Sequence, residues 1–409
     1  MSEPGRDHVV LVANARVPSE RAQSIQIAHA ARGFVRAGAQ TTLVHARRRG
    51  TPRITAGELY AGLVGGATGD AGEEGLPELV AASCVDTIDL VPRSLQFVPA
   101  RVQEWSFGRN AARLVEERYP KALVLARDIE VAARLRDRPG VLWEAHRVPG
   151  GQHRRALAAR VAASGAGAVA ISGGVRSDLA SLGFDPEGVL VEHDAHDPHF
   201  AASIPTKEEA CRALRLDPER PVIVYCGSLL VWKGVEVLVD AARDAALEGV
   251  QVLIIGGMPA DVERLKAYAR GITGVRIDGF QSQGVVAEAL GAADVTAIPN
   301  RKTPRISSHY TSPLKLFEAF GAGVPVVASD LPSLREAAGD RAAHFVEAEN
   351  PRALAQGLRR VLDDETLSAG LRRAGKERVR EATWEARAKR ILSLLRDDRK
   401  RRGGESEGR

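Results

Sequence analysis

The residues between 312 and 318 combine the pattern of a helix start with one lysine and one glutamate. Ser312 is of a type preferred at the N-cap of a helix, and Pro313 is of a type preferred at the first helical position. A helix that begins there leaves the amides of Leu314 and Lys315 without intrahelical acceptors, at a site where a diphosphate binds favourably. Lys315 adds a positive charge, and Glu318, one turn later, is placed to accept hydrogen bonds from a ribose diol.

The same spacing has a second interpretation that involves no ligand. Lys315 and Glu318 match the pair of opposite charges that stabilises an exposed helix surface by about 0.2–0.5 kcal/mol. The spacing alone supports both interpretations equally, so the choice depends on the rest of the chain. In either case we expect Leu314, Phe317 and Phe320 to face the hydrophobic core.

Short apolar runs that alternate with helical patterns predict a doubly wound α/β fold with parallel sheets. Helical patterns include residues 21–37, ended by Gly38, and residues 234–246. The stretch 65–75 is expected to be an exposed loop, because it is rich in Gly, Asp and Glu. The predicted strands are residues 8–13, 41–44, 122–125, 141–143 and 167–171, followed by 221–226, 250–255, 275–278, 295–299 and 325–328.

The length of 409 residues exceeds what one hydrophobic core usually organises, so two domains are expected. We place the boundary between Phe200 and Thr206, with one Rossmann-like domain over residues 1–202 and a second over 203–382. Ligands of such sheets bind beyond the carboxyl ends of the strands, so a cleft between the two domains should hold the site. The charged tail 397–409 is predicted to be disordered.

Composition limits the class of protein. The chain is 44% hydrophobic and 27% charged, and no apolar run approaches the ~18 residues of a membrane span. Glu3 and Asp7 precede the first apolar run, which is unlike a signal peptide. Cys84, Cys211 and Cys226 are widely spaced and lie outside any histidine cluster, which argues against disulfides and zinc and for a reducing cytosol.

The net charge of +5 comes from basic residues that are interspersed with acidic ones. No basic stripe is evident, so a nucleic-acid partner is not expected. The basic balance suits an anionic substrate such as a nucleotide diphosphate, or a transient contact with an anionic membrane surface. The expected location is the cytoplasm, with peripheral contact at the inner membrane face as an option.

Several segments, taken in order, resemble the family-4 glycosyltransferases. Residues 226–234 match a glycine-ended strand followed by a basic position, 254–257 match a strand ending in glycines, and 278–280 match a Gly-Phe turn. Residues 290–299 are similar to the strand that enters the donor site, and Glu318 aligns with the second of the family's paired glutamates. Residues 311–318 resemble a subgroup in which the Ser-Pro-Leu-Lys run forms the phosphate-binding turn. The resemblance covers most of the chain and is strongest from Val222 to Arg341.

The resemblance implies a GT-B fold, in which two Rossmann-like domains face each other across a cleft. It implies retaining transfer of a sugar from a nucleoside-diphosphate sugar to an acceptor hydroxyl, without a metal or other cofactor. Residues 1–202 would then bind the acceptor and 203–382 the donor, while 383–396 form a helix that packs back on the N-terminal domain. The base, uracil or guanine, and the acceptor, a sugar, a lipid-linked molecule or a small molecule, stay open.

In the family, two positively charged residues stabilise the leaving diphosphate, and this sequence matches only one of them. Lys233 occupies the position of the lysine that stabilises the leaving diphosphate, whereas Ser228 stands where the family has an arginine. The candidate replacements for that arginine are Lys315, Arg301 and Arg305. For Lys233 itself, a solvated lysine at a helix start is the alternative interpretation.

Tyr310 stands where the family's first glutamate contacts the donor sugar, so we expect sugar selection to differ. A packed or rim aromatic and a sugar-contacting aromatic are equally supported interpretations. The resemblance implies three catalytic residues: His146, Lys233 and Glu318. It implies the following donor-binding residues: Gly227, Ser228, Lys233, Gly256, Phe280, Tyr310, Thr311, Ser312, Pro313, Leu314, Lys315 and Glu318.

His146 matches a histidine that many family members place near the transferred sugar. A lone histidine after a strand is otherwise a structural hydrogen-bonding residue, so both interpretations are kept. Glu144 is positioned in sequence to orient that imidazole. Arg127 and Asp128 either border the cleft or are exposed loop charges.

Three further segments have weaker signals. The loop 16–24 places Ser19 or Ser24 near a helix start, where plain capping is the alternative to a role in the site. Ser172 is expected to cap a helix that faces the acceptor. Residues 372–380 and 387–396 are expected to be solvated helix faces, with Trp384 as a buried anchor.

Two rival functions remain at this stage. A non-catalytic protein that binds sugar nucleotides is the main alternative, because Ser228 and Tyr310 depart from the family pattern. A GT-B epimerase or phosphorylase is disfavoured by the order of the motifs and by the absence of an evident pyridoxal-phosphate lysine. A Rossmann dehydrogenase is weaker still, since no Gly-x-Gly-x-x-Gly motif follows the first strand.

Overall fold

A computed structural model describes residues 6–17, 19, 22–48, 53–63, 75–85 and 100–404. The chain divides into two compact units, Met1–Glu192 together with Trp384–Arg409, and His193–Thr383. This division falls earlier than the predicted boundary near residue 202. The expected cleft between the domains stays a prediction, and the expected loop 65–75 lies, apart from Gly75, outside the described residues.

The described residues of the first unit form a parallel sheet of seven strands in the order β3-β2-β1-β4-β5-β6-β7. Strand β1 is fully buried from Val9 to Ala13 and pairs with β2 on one side and β4 on the other. The order therefore reverses between β1 and β4. The strands are β1 His8–Ala13, β2 Gln40–Arg47, β3 Glu78–Ser83, β4 Leu123–Ala126, β5 Val141–Ala145, β6 Ala168–Ala170 and β7 Val189–Val191.

Helices cover this sheet, and the last of them comes from the far end of the chain. Gly38, in the left-handed region, follows the first helix and ends it as expected. The helices are α1 Ala22–Arg36, α2 Ala56–Leu63, α3 Ala100–Arg118, α4 Ile129–Arg134, α5 Gln152–Ala163, α6 Gly173–Leu179 and, numbered in chain order, α16 Trp384–Gly403.

The helix α16 corrects two predictions. Residues 397–403, expected to be disordered, continue the helix, and Asp398 is buried there and accepts a hydrogen bond of 2.9 Å from the Gly140 amide. Arg387, expected on a solvated face, is buried. Trp384 is a buried anchor as predicted and stacks on His29 at 5.6 Å between ring centroids.

The second unit contains a parallel sheet of six strands in the order β10-β9-β8-β11-β12-β13. Alternate residues of its central strand face two separate cores, with Val224 and Cys226 in one and Ile223 and Tyr225 in the other. The strands are β8 Val222–Cys226, β9 Gln251–Ile255, β10 Val275–Asp278, β11 Val295–Ile298, β12 Val326–Ser329 and β13 His344–Val346.

Nine helices in the described part of this unit cover both faces of the sheet. The helix predicted over residues 234–246 is shorter than expected, ending at Ala241, and a separate 3-10 turn follows at Ala245–Leu247. No helix among the described residues is long and apolar enough to span a membrane. The helices are α7 Pro198–Ala202, α8 Lys207–Leu214, α9 Val235–Ala241, α10 Pro259–Tyr268, α11 Gln283–Ala292, α12 Leu314–Ala322, α13 Pro332–Ala338, α14 Pro351–Asp363 and α15 Glu365–Val379.

Candidate functional site

The order of strands in the second sheet reverses between β8 and β11, which are neighbours. In a doubly wound sheet such a reversal opens a crevice beyond the carboxyl ends of the two strands, and ligands bind there. The loops after β8 and β11 meet at this point, because the Arg301 amide donates to the Trp232 carbonyl oxygen at 3.0 Å. The sequence-predicted donor residues lie on these loops, on the loop after β9 and at the start of α12.

The start of α12 differs in detail from the prediction. Pro313, not Ser312, is the N-cap, and the helix begins at Leu314. The Ser312 hydroxyl instead accepts a hydrogen bond of 2.8 Å from the Asp194 amide. The amides of Leu314 and Lys315 lie in the first turn of α12, where amides have no intrahelical acceptor, so the binding of an anion at this helix start stays a prediction.

Lys315 and Glu318 form an ion pair, although not on an exposed surface. Lys315 Nζ lies 2.6 Å from Glu318 Oε2, and the Glu318 side chain is 4% exposed. The interpretation as a solvated surface pair is therefore wrong. Leu316 packs in the core with Phe317, whereas Leu314, expected in the core, is only half-buried.

Lys233 ends a 3-10 turn in the loop after β8 and is half-buried. Its Nζ lies 4.3 Å from the centroid of the Trp232 ring, a cation–π contact. Burial lowers the pKa of Lys233 to about 8, and the Asp194 carboxylate opposes that shift. The interpretation of Lys233 as an ordinary solvated lysine is thus not supported.

Asp194 is a site residue that the sequence analysis missed. It is buried, acts electrostatically on Lys233, and donates its amide to Ser312. It therefore connects the loop after β8 with the segment that precedes α12. The short strand β7, which ends just before it, was also not predicted, so no sequence signal marked its position at a strand end.

Two glycines allow the loops after β8 and β9 to touch. Gly256 has φ +119°, and a Cβ there would lie 2.1 Å from the Gly227 carbonyl oxygen. Its amide donates to the carbonyl oxygens of Asp278 and Gly279, both at 3.1 Å, at the end of β10. Phe280, just beyond, is 38% exposed, so its ring is accessible for stacking.

Ser228, at the position where the resemblance leads us to expect an arginine, is half-buried, and its carbonyl oxygen accepts from the Tyr225 hydroxyl at 2.7 Å. Of the candidate replacements, Lys315 is paired with Glu318. Arg301 lies 3.7 Å from Glu236 Oε2 and so has only a long contact with a carboxylate. Arg301 is the candidate that lies beside the loop carrying Lys233, because its amide donates to the Trp232 carbonyl oxygen.

Tyr310 ends a π-helical turn, Ile306–Tyr310, in the connection from β11 to α12. Its hydroxyl accepts a hydrogen bond of 3.1 Å from Arg305 Nε, and the guanidinium also lies over its ring at 5.7 Å. Thr311, which follows, is buried and donates its hydroxyl to the Ile306 carbonyl oxygen at 2.6 Å. Arg305 and Tyr310 thus interact with each other.

In the first unit, His146 lies in the loop after β5. Its Nε2 is 2.8 Å from Arg127 Nη2 and 3.3 Å from Glu144 Oε1. Burial lowers the pKa of His146 to about 4, Arg127 lowers it further, and Glu144 opposes the shift. Arg127 is buried and not an exposed loop charge, and it also donates to Gln26 Oε1 at 2.8 Å.

Asp128 lies at the reversal between β1 and β4, the equivalent position in the first sheet. It accepts a hydrogen bond of 2.7 Å from the Asn14 amide, and burial raises its pKa to about 6. Asn14 Oδ1 in turn accepts from Arg48 at 2.8 Å. Neither Asn14 nor Arg48 was predicted, because each is one polar residue after a strand.

The remaining predictions for this unit concern helix starts. Ser172 caps α6, accepting from the Val175 amide at 3.2 Å, as expected. Ser24 is in the first turn of α1 and donates to the Arg16 carbonyl oxygen at 2.8 Å. Within the loop 16–24, residues 18, 20 and 21 lie outside the described residues.

No group of three or more His, Cys, Asp or Glu side chains in the described ranges could hold a metal ion. Cys226, at the end of β8, has its pKa raised to about 12 by burial, with Lys315 and Glu318 acting on it electrostatically. This places Cys226 close to the ion pair of α12.

Comparison with known proteins associates part of the chain with a family. Residues 220–364 match the family described as "Glycosyl transferases group 1". The phosphatidyl-myo-inositol mannosyltransferase of Mycobacterium leprae is 34% identical over 166 residues, 40% of this chain and 42% of that protein. The D-inositol 3-phosphate glycosyltransferase of Jonesia denitrificans is 31% identical over 229 residues, 51% of each protein. The chain thus spans about half the length of these curated relatives.

Solved structures resemble nearly the whole chain. Sucrose-phosphate synthase from Thermosynechococcus elongatus has a TM-score of 0.73 at 17% identity, covering 96% of this chain and 99% of that one. Anabaena HepE in complex with UDP and glucose has a TM-score of 0.63 at 15% identity, covering 99% and 100%. At such identities the likeness concerns the fold, and it confirms the predicted GT-B fold class.

Proposed function

We propose that this chain is a retaining glycosyltransferase that moves a sugar from a nucleoside-diphosphate sugar to an acceptor hydroxyl without a metal. The observation that carries the proposal is the meeting of Lys233 and the start of α12 at the strand reversal of the second sheet, connected through Asp194. A lysine beside free helix amides suits a diphosphate, because both stabilise negative charge.

The chemistry follows from the leaving group. As the bond between sugar and diphosphate breaks, negative charge develops on the diphosphate, and fixed positive groups lower the barrier. We assign most of this role to Lys233, because Glu318 already neutralises Lys315. Glu318 holds Lys315 at the helix start and offers its carboxylate to a ribose diol, while Arg301 supplies the second charge in place of the family's arginine.

The comparisons support transfer over the non-catalytic alternative. The curated relatives are named as transferases, and the family described as "Glycosyl transferases group 1" matches residues 220–364, which include Lys233 and the start of α12. One of the resembling structures, that of Anabaena HepE, is a complex with UDP and glucose. We extend these to the present chain as a nucleoside-diphosphate sugar donor, and as a sugar, lipid-linked or small-molecule acceptor.

Peripheral contact with the inner membrane face, from a cytoplasmic location, belongs to the same proposal. Its support is a surface depression on α15, lined by four basic side chains and Glu377. Basic clusters of this kind attract anionic lipid headgroups. The basic side chains are Arg372, Arg373, Lys376 and Arg380.

A thermal-shift panel with UDP, GDP, ADP and their sugars tests donor binding. We expect one base to stabilise the protein, by about 2.7 kcal/mol at a ligand concentration one hundred times its Kd. The matching donor is then incubated with acceptors in the presence of EDTA, and the anomeric configuration of the product is read by NMR. Stabilisation by none of the nucleotides would refute the proposal, and an inverted anomer would refute retention.

A further inference from the structure

Three buried ionisable side chains and the half-buried His146 surround the end of β5 in the first unit. We refer to Arg127, Glu144, His146 and Arg387 as the Glu144 network. Glu144 is 1% exposed, Arg387 on α16 is 2% exposed, and Arg387 Nη2 lies 2.5 Å from Glu144 Oε1. Arg127 Nε lies 3.7 Å from the other carboxylate oxygen. The C-terminal helix thereby reaches the residue that precedes the His146 loop.

The contact with Arg127 determines which imidazole nitrogen of His146 carries the proton. An arginine guanidinium only donates hydrogen bonds, so the Nε2 atom 2.8 Å away has to be the lone-pair nitrogen. Glu144 Oε1, at 3.3 Å, is a weaker partner for Nε2, because Arg387 already donates to that oxygen at 2.5 Å. The proton of the neutral imidazole is therefore on Nδ1.

The charges of the network keep the imidazole neutral. Arg127 and Arg387 both lie beside the Glu144 carboxylate, and both disfavour a charged imidazole at His146. The charged groups acting on His146 come from the end of β4, from β5 and from α16, namely Arg127, Glu144 and Arg387, while α1 contributes the neutral Gln26. A further positive charge there is unfavourable, in agreement with the lowered pKa of His146.

We propose that Arg127, through its direct contact with Nε2, and Arg387, through Glu144, are positioning residues that fix His146 as a neutral imidazole with its hydrogen on Nδ1. Where the transferred sugar lies beside His146, as the family resemblance implies, an imidazole in this state donates a hydrogen bond to a hydroxyl oxygen of that sugar and exchanges no proton during transfer. This second step rests on the proposed function, since it requires a sugar near His146. The first step concerns the free protein alone.

NMR of protein labelled with ¹⁵N-histidine tests the first step without any substrate. His146→Gln identifies the resonances of His146 among the ten histidines. We expect a protonated Nδ1, an unprotonated Nε2, and shifts that stay constant between pH 5.5 and 8. An Nε2-protonated imidazole, or titration of His146 near pH 6.5, would overturn the proposal.

Variants on α16 test the part played by Arg387. Arg387→Gln removes one guanidinium, so Glu144 is left to attract the proton, and we expect His146 to titrate closer to its usual pKa, near 6.5. Arg387→Lys should restore the wild-type shifts at least partly. Arg390→Gln on the same helix breaks an ion pair with Glu192 instead and should leave His146 unchanged. Equal shifts in both Gln variants would contradict the assignment, and if Arg387→Gln does not fold, the wild-type titration still decides.

Kinetics separate the two steps once a donor and an acceptor are known. We expect Arg387→Gln to lower kcat by about 10²-fold with the donor KM little changed, and to add an acidic limb to the pH profile that Arg387→Lys removes. A variant that is only less stable would keep the wild-type profile. If the NMR result holds but no sugar is transferred, the proposed function fails while the positioning of His146 stands.

Discussion

Lys233 is the site residue whose surroundings differ most from those of an ordinary surface lysine. It lies over the Trp232 ring, near the buried carboxylate of Asp194, and its pKa is lowered to about 8. At neutral pH the Lys233 amine is still protonated in most copies of the protein, so its positive charge is available to a diphosphate. The charge is lost as the pH rises through about 8, whereas an ordinary lysine keeps it to above pH 10.

This lowered pKa predicts pH-dependent binding of the nucleoside diphosphate. We expect the affinity of the wild-type protein for its preferred nucleoside diphosphate to fall between pH 7 and 9, by at most about tenfold per pH unit, because protonated Lys233 binds the anion better. Lys233→Arg, which stays charged over this range, should bind with nearly constant affinity. Isothermal titration calorimetry measures both curves, and parallel curves for the two proteins would show that Lys233 is not the titrating group.

At the scale of elements, the sequence predicts the central strands and the edge strand β10 but misses the other three edge strands. Strands β3, β7 and β13 were not predicted, and each lies at the edge of its sheet. An edge strand has one neighbour and is only partly buried, as the half-exposed β13 shows, so its apolar pattern is short and weak. The buried central strands have continuous apolar runs and were all found.

The residues of the candidate site also divide into those that the sequence could predict and those that it could not. The helix start at Leu314, Lys315 and Glu318 was predictable because its residues are close in sequence. The pair of Arg387 and Glu144 was not, since the two are 243 residues apart and only the fold brings them together. The N-cap at Ser312 was wrong because its hydroxyl accepts from Asp194, a tertiary contact that local preference does not include.

The contact between the loops after β8 and β9 predicts a strict requirement for glycine at position 256. In Gly256→Ala the new Cβ would lie 2.1 Å from the Gly227 carbonyl oxygen, at φ +119°. We expect the free energy of unfolding to fall by about 1–3 kcal/mol or more, and nucleotide binding to weaken, since the loop after β8 has to shift. Urea denaturation and nucleotide titration measure the two effects.

Gly370→Ala is the matched control for this substitution. Gly370 lies within α15, and a Cβ there would meet nothing within 4 Å. Alanine favours the helix, so we expect the free energy of unfolding to rise by about 0.5–1 kcal/mol with binding unchanged. A Gly256→Ala protein as stable as the wild type would show that the two loops do not pack closely enough to require glycine.

At the scale of the whole molecule, the first unit is built from both ends of the chain. Helix α16 has four large apolar side chains buried, namely Trp384, Ile391, Leu392 and Leu395. Burying one such side chain contributes about 1.5–3 kcal/mol, so the four together are comparable with the whole stability of a typical domain. The buried ion pair of Arg387 and Glu144 makes the stability of the first unit depend further on α16, because without this helix Glu144 would lose its closest partner.

Removal of this helix should therefore unfold the first unit. We expect a chain that ends at Thr383 to lose one thermal transition, whereas a chain that ends at Gly404 and keeps α16 should unfold like the full-length protein. Hydrogen exchange of strands β1 to β7 measures the loss directly. Protection of those strands in the shorter chain would show that α16 is dispensable for the first unit.

The division of the first unit also has a consequence for synthesis on the ribosome. Its strands β1 to β7 leave the ribosome first, yet the helix that packs on them lies beyond all of His193–Thr383. The second unit consists of one continuous segment, so all of its strands have left the ribosome before α16 emerges. The apolar surface that α16 later covers is exposed throughout that interval. We therefore expect chaperones to bind the first unit during its synthesis.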